Sequence, residues 1–103
     1  MTPRELSRYL AEGRDPPLLL DVREPWEFEV CRIEGSRLVP MRQIPAAVRQ
    51  LDPERETVVI CHHGIRSRQV ALYLEHQGFG KVINLEGGVA AWSQDVDPQM
   101  PRY

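Results

Sequence analysis

The sequence predicts an α/β fold: a central, mostly parallel sheet of four or five strands with helices on both faces. Two short unbroken apolar runs, LLLDV and TVVIC, carry most of that reading, because a strand covered on both sides shows no polar alternation. Around them lie stretches with helical spacing, and strands alternating with helices build parallel sheets. A length of 103 residues then allows one domain with one core.

Thr2, Pro3 and Glu5 make a helix start, with Thr2 as N-cap, Pro3 at the first helical position and Glu5 completing a capping box; Leu6, Tyr9 and Leu10 then share a face. Gly13 to Pro17 breaks this helix, and LLLDV forms the first buried strand with Asp21 near its carboxyl end. EPWEFEV is a short helix with Pro25 early in it, RLVP a brief strand, and MRQIPAAVRQL an amphipathic stretch that Asp52 and Pro53 end. TVVIC is the second buried strand, SRQVALYLEHQGF a helix with Val70, Ala71 and Leu74 inward and Gly78 as its C-cap, and KVINL a further strand. GGVAAW opens a last short helix. The end, DVDPQMPRY, has two prolines and little apolar content, so residues 1–95 are expected to form the single domain and 96–103 a poorly ordered tail or a linker.

Charge narrows the partners. Thirteen basic and fifteen acidic residues are mixed along the chain for a net charge of -2, with no Lys/Arg run to track a phosphate backbone, so nucleic acid is not an expected partner. The first residues, MTPRELSRYLAEG, carry charges among their apolar positions, unlike a signal peptide, and no segment approaches the roughly 20 apolar residues that span a bilayer. A cytoplasmic protein without a membrane partner is expected. Two cysteines, Cys31 and Cys61, do not make a disulfide scaffold, and cytosolic thiols stay reduced.

Cys61 ends the second buried run, where ligands bind in parallel sheets, and opens the stretch CHHGIRS. A tight loop leading into a helix there surrounds the thiol with backbone N–H groups and the positive end of a helix dipole, which favours a thiolate and an anion beside it. Gly64 gives the backbone freedom for successive N–H groups to turn inward, Arg66 adds a fixed cation, and Ser67 is placed to cap the helix through its hydroxyl. Three readings compete for Cys61. A buried core cysteine is a common thing, but it needs no glycine, arginine and serine in the next six positions. A metal site with His62 and His63 has the right donors, yet three adjacent residues do not easily converge on one ion and no CxxC or HxxxH pair completes four ligands. A nucleophile accounts for the whole stretch. Once ionised it needs no general base, so the chemistry rests on Cys61 and Arg66, and the rings of His62 and His63 read as exposed loop residues whose backbone N–H groups matter more.

Four stretches in order resemble the single-domain rhodanese family of sulfurtransferases. LLLDVREPWEF is similar to the family's strand and DVRxxxEF segment, CRIEGSRLVP to its GHIxGAxxIP segment, CHHGIRS to its CxxGxRS active-site loop, and LEGGVAAW to its LxGGxxxW closing motif. The resemblance covers nearly the whole chain. It implies a rhodanese-like fold and a thiosulfate sulfurtransferase, in which Cys61 takes a sulfane sulfur as a persulfide and hands it to cyanide or a cellular thiol. It makes Cys61 and Arg66 catalytic, gives substrate binding to His62, His63, Gly64, Ile65 and Ser67 with Arg66 facing the donor's charge, and leaves Asp21 and Arg23 as structural polar residues near the site. For that last pair a surface salt bridge is the alternative reading. No metal and no organic cofactor is implied; the partners are a small-molecule sulfur donor and acceptor, with room for a sulfur-accepting protein.

Two further functions stay open: an inactive rhodanese-like module that carries sulfur or docks a partner, and a phosphatase or arsenate reductase. The phosphatase loop, CxxxxxR, is one residue longer than the loop from Cys61 to Arg66. The chain also departs from the family pattern, with Cys31 and Arg32 where glycine and histidine are usual and Ser36 where alanine is common. A glycine after a short helix suits a left-handed residue, so a cysteine there implies altered geometry or a strain of ~1 kcal/mol. Cys31 is then either an inert, partly buried thiol or a second thiol that resolves the persulfide.

Overall fold

In the computed structural model, which describes residues 1–103, Leu18–Asp21 (β1), Arg37–Leu38 (β2), Thr57–Ile60 (β3) and Val82–Asn84 (β4) form one sheet in the order β2-β1-β3-β4. Every pairing is parallel, with Leu20 beside Arg37, Leu19 beside Val58, and Val58 beside Ile83. Parallel strands need crossovers, and the helices Pro25–Val30 (α2), Ile44–Ala47 (α3) and Ile65–His76 (α4) lie on them; Pro3–Ala11 (α1) and Gly88–Asp95 (α5) begin and close the set. The sheet therefore has four strands, within the expected range, and the α/β class is as the apolar runs predict.

Alternation along the strands sorts the core into two layers. Leu20, Val22, Val59 and Cys61 pack with Ile44 of α3, with Val70, Ala71 and Leu74 of α4, and with Phe79. On the other face Leu19, Val58 and Ile60 pack with Leu6 of α1, with Val89 and Trp92 of α5, and with Cys31 and Met100. Helices thus cover both faces, which is why β3 has no exposed position at all. Leu20 and Leu74 are wholly buried, and trimming either to alanine would cost about 2–5 kcal/mol.

Helix ends obey the local chemistry. The Thr2 hydroxyl accepts from the Glu5 N–H while the Glu5 carboxylate accepts from the Thr2 N–H, the expected capping box. At the end of α4 the cap is Gln77, and Gly78 stands one residue beyond it with φ +95°. Its N–H reaches the Glu75 carbonyl and that of Phe79 reaches Leu74, both at 3.1 Å, the paired bonds that a left-handed glycine makes possible. Residues 41–50 do not form one amphipathic helix. Pro45 has no N–H to give, and the stretch breaks into a 3-10 turn at Met41–Gln43, one α turn in α3 and a 3-10 turn at Val48–Gln50.

Residues 96–103 are not the loose tail that their composition suggests. The Asp97 carboxylate accepts from the Gln99 N–H and its carbonyl from that of Met100, so the chain reverses after α5. Met100 is buried in the second core layer, Arg102 donates to the Ser93 carbonyl, and Tyr103 reaches Arg23 and Glu27. No helix is long and apolar enough to cross a membrane.

Candidate active site

Cys61 comes directly after β3, and its 1% exposure makes it a buried thiol at the carboxyl edge of the sheet. The loop after it is pinned by Gly64, whose φ of +93° is open to glycine alone at no cost and whose missing Cβ would meet the backbone N of Gly87 at 3.1 Å. The Gly64 N–H donates to Cys61 Sγ at 3.0 Å. The N–H groups of His62, His63, Ile65, Arg66 and Ser67 have no acceptor within the chain, so the loop and first turn of α4 keep five backbone donors for a ligand.

The loop is held from behind by the start of α5. Val89 and Ala90 donate to the carbonyls of Cys61 and His62 at 2.9 and 3.0 Å, and Gly88 lies so close that a Cβ there would meet the Cys61 oxygen at 2.3 Å. The LEGG stretch is thus part of the site, since only glycine allows that approach.

Ser67 does not cap α4; Gly64 occupies that position, and the Ser67 hydroxyl lies 3.3 Å from Cys61 Sγ while donating to Asn84 Oδ1. Asn84, at the end of β4, donates in turn to the Gly64 carbonyl at 3.1 Å. The hydroxyl has one proton for two acceptors, so a thiol at Cys61 leaves it to Asn84 and a thiolate competes for it.

Arg66 lies at the mouth and is already engaged. Both its terminal nitrogens donate to the Glu27 carboxylate at 2.8 Å, a two-point pair in which the guanidinium is 36% exposed and the carboxylate 5%. The bond to Arg66 holds the Glu27 carboxyl at about 2, against the opposing effect of burial, and the bond to Glu27 raises the Arg66 guanidinium, with the charge of Cys61 adding to it. The expected Arg66 is a cation facing the donor; the observed one is a cation shared with a carboxylate, with its remaining N–H groups at the opening.

Beneath it, Asp21 and Arg23 form a pair with both side chains fully buried, so the surface salt bridge is ruled out. Arg23 Nη2 reaches Asp21 at 2.6 Å and the Cys31 carbonyl at 2.7 Å, and Nη1 donates to the Glu27 carbonyl and the Tyr103 hydroxyl. Burial opposes the Arg23 charge, and the bonds to Asp21 and Tyr103 more than restore it.

His63 is exposed, as expected, while His62 is half-buried with its ring centroid 4.4 Å from that of Tyr103. Burial, and then the neighbouring His63, lower its pKa, so the ring is held neutral, and Nδ1 is buried with no hydrogen-bond partner. Ile65 is 69% exposed and contributes its N–H, not its side chain.

Cys31 caps α2 with φ -161° and ψ 152°, an extended backbone that any residue adopts, so the strain expected of a cysteine in a glycine's place is absent. It is buried in the layer opposite Cys61, yet it lines a cleft of about 90 Å³ with His62, Val89, Ser93, Pro101 and Tyr103.

Three of these residues carry no assignment from sequence: Glu27, Asn84 and Tyr103. Asn84 has a signal, as a polar residue at the carboxyl end of a buried strand beside Cys61's strand. Glu27 has one as well, as the glutamate of the DVRxxxEF stretch. Tyr103 has none.

A model of the rhodanese-like domain family matches residues 2–95. The chain is 44% identical over 93 residues to a chloroplastic rhodanese-like and PpiC domain-containing protein of Arabidopsis thaliana, covering 86% of this chain but only 31% of that relative. It is 39% identical over 89 residues to a sulfurtransferase of Allochromatium vinosum, covering 86% of this chain and 82% of that one. Among solved structures, a rhodanese-like domain protein from Staphylococcus aureus superimposes with a TM-score of 0.84 at 34% identity, over 89% of this chain and 88% of the other.

Proposed function

The chain belongs to the rhodanese-like domain family, and from that premise we propose that it is a sulfurtransferase working through a persulfide on Cys61. The observation that supports this most is the Gly64 N–H directed at Cys61 Sγ, in a loop whose other N–H groups have no acceptor within the chain. In the first half-reaction the Cys61 thiolate attacks the outer sulfur of thiosulfate, a new S–S bond forms, and sulfite leaves with the electron pair of the bond that breaks. In the second, cyanide or a thiolate takes the outer sulfur and the Cys61 thiolate is restored. The protein's part is to hold negative charge on the sulfur chain with fixed donors, and to offer the donor the outward N–H groups of Arg66. The loop with four residues between Cys61 and Arg66 suits a single outer sulfur better than a tetrahedral phosphoryl group, which argues against phosphate chemistry.

Intact mass after incubation with thiosulfate and removal of the excess tests the reading: the protein should gain one sulfur atom and lose it to cyanide as thiocyanate. Release of phosphate from an aryl phosphate with no thiocyanate formed would reverse the choice.

A further inference from the structure

We propose that Tyr103 is a positioning residue whose hydroxyl joins the two ion pairs of the site and so holds Arg66, through Glu27, in one orientation beside Cys61. This rests on Cys61 being the reacting thiol and assigns the end of the sequence a part in its reactivity. The hydroxyl accepts from Arg23 Nη1 at 3.0 Å and donates to Glu27 Oε2 at 2.8 Å. Arg23 is a fixed anchor, because its side chain is fully buried and tied to Asp21 and to the Cys31 carbonyl. Each Glu27 oxygen then has two donors. Oε1 takes the Glu24 N–H and Arg66, and Oε2 takes Arg66 and Tyr103.

Arg66 has no acceptor within the chain other than those two oxygens. Without the Tyr103 hydroxyl, Oε2 is held by Arg66 alone, and the Glu24 N–H at Oε1 is the one anchor left to the carboxylate outside the ion pair. The ring that aims the hydroxyl is itself gripped, 4.4 Å from His62 and 5.1 Å from Trp26 between centroids. Burial pushes the Tyr103 hydroxyl up to about 12, so it stays a proton donor through the neutral range. A cation held in advance lets an anion reach the sulfur without first ordering the side chain.

The test compares alkylation of Cys61 by iodoacetate, an anion, with alkylation by neutral iodoacetamide, tracking the Cys61 peptide by mass spectrometry. In both reactions the thiolate forms a C–S bond and displaces iodide, so the ratio of the two rate constants reads the charge held beside the sulfur and cancels exposure and ionisation. Tyr103→Phe should lower the iodoacetate to iodoacetamide ratio roughly 3- to 10-fold, the net worth of one ordinary hydrogen bond, since the hydroxyl acts on Arg66 only through Glu27. Arg66→Ala should lower it at least as much, and the double variant no further than Arg66→Ala. Tyr103→Leu replaces Tyr103→Phe if the latter is not recovered folded. An unchanged ratio in the folded Tyr103 variant overturns the proposal, as do an unchanged ratio in Arg66→Ala, additive losses in the double variant, or loss of fold in both Tyr103 variants. Neither reagent delivers sulfur, so a protein that fails to form a persulfide still gives this readout, and the two failures are distinguishable.

Discussion

Cys61 and Cys31 each head a stretch with a glycine and an arginine within six residues, CHHGIRS and CRIEGSR, and both thiols are buried. The path of the chain beyond each thiol differs. After Cys61 it turns at a left-handed glycine into α4, and a backbone N–H lands on the sulfur at 3.0 Å. After Cys31 it also turns at a left-handed glycine, Gly35, but into the short strand β2 and not into a helix, and the sulfur's one polar neighbour is Arg23 Nη1 at 3.8 Å. Arg66 stands at an opening, whereas Arg32 leans over the ring of Phe28. The composition of such a string says little about reactivity; the element that it enters decides whether backbone donors meet the sulfur.

The largest effect expected from this contrast is all or none. Cys61→Ser should take up no sulfur from thiosulfate, and Cys31→Ser should load within twofold of the unsubstituted protein, both read as intact mass. Equal labelling of the two variants would erase the distinction between the thiols. If loaded protein left without an acceptor instead releases sulfide and gains an internal disulfide, Cys31 is a resolving thiol and the two Cα atoms come within about 7 Å.

Arg66→Ala removes the half-exposed cation of the CHHGIRS loop, whereas the cation beside Cys31, Arg23, is fully buried, and kcat/KM with thiosulfate should fall roughly 10–100-fold. A variant that matches the unsubstituted protein at subsaturating thiosulfate would reduce Arg66 to a partner for Glu27. Asn84→Ala comes next, with a fall of about 3–10-fold, since it releases both the Ser67 hydroxyl and the Gly64 carbonyl without touching the sulfur. The same assay on Asn84→Ser, which keeps a polar group, should recover part of the loss.

The smallest effect is on stability in acid. Glu27 binds its proton at about 2 when folded and near its ordinary 4.5 when unfolded, so the unfolded chain holds more protons between those values. The Glu27–Arg66 pair therefore contributes fully above about pH 5, and its contribution is lost as pH falls towards 2, by about 1–2 kcal/mol after allowing for the exposed guanidinium. Urea midpoints at pH 7, 4 and 3 should decline less steeply for Glu27→Gln; parallel slopes would mean that the pair adds nothing.

How far each feature is legible in the sequence depends on how locally it is encoded. The buried strands, the capping box at Thr2 and Glu5 and the turn at Gly64 depend on neighbours a few residues apart, and they stand where expected. The Ser67 hydroxyl departs from its expected capping role because a residue in the first turn of a helix has two directions to offer, back to the cap or across to another strand, and only the placement of Asn84 decides. The partner of Arg66 lies thirty-nine positions away, and one acceptor of Arg23, the Tyr103 hydroxyl, eighty. Proline and acidic residues near the end read as solvated chain, yet the turn at Asp97 sends Met100 and Tyr103 back onto the domain. No short-range pattern announces such pairings.

The bonds from Val89 and Ala90 to the carbonyls of Cys61 and His62 also make the loop dependent on a second helix. Cys61 and α4 are neighbours in sequence, but the loop between them is clamped only while the start of α5 is docked against it. If α5 lifts away while the strands stay paired, the thiol survives without its cradle. Slow hydrogen exchange at the Val89 and Ala90 amides therefore marks the fraction of molecules in which the site exists at all.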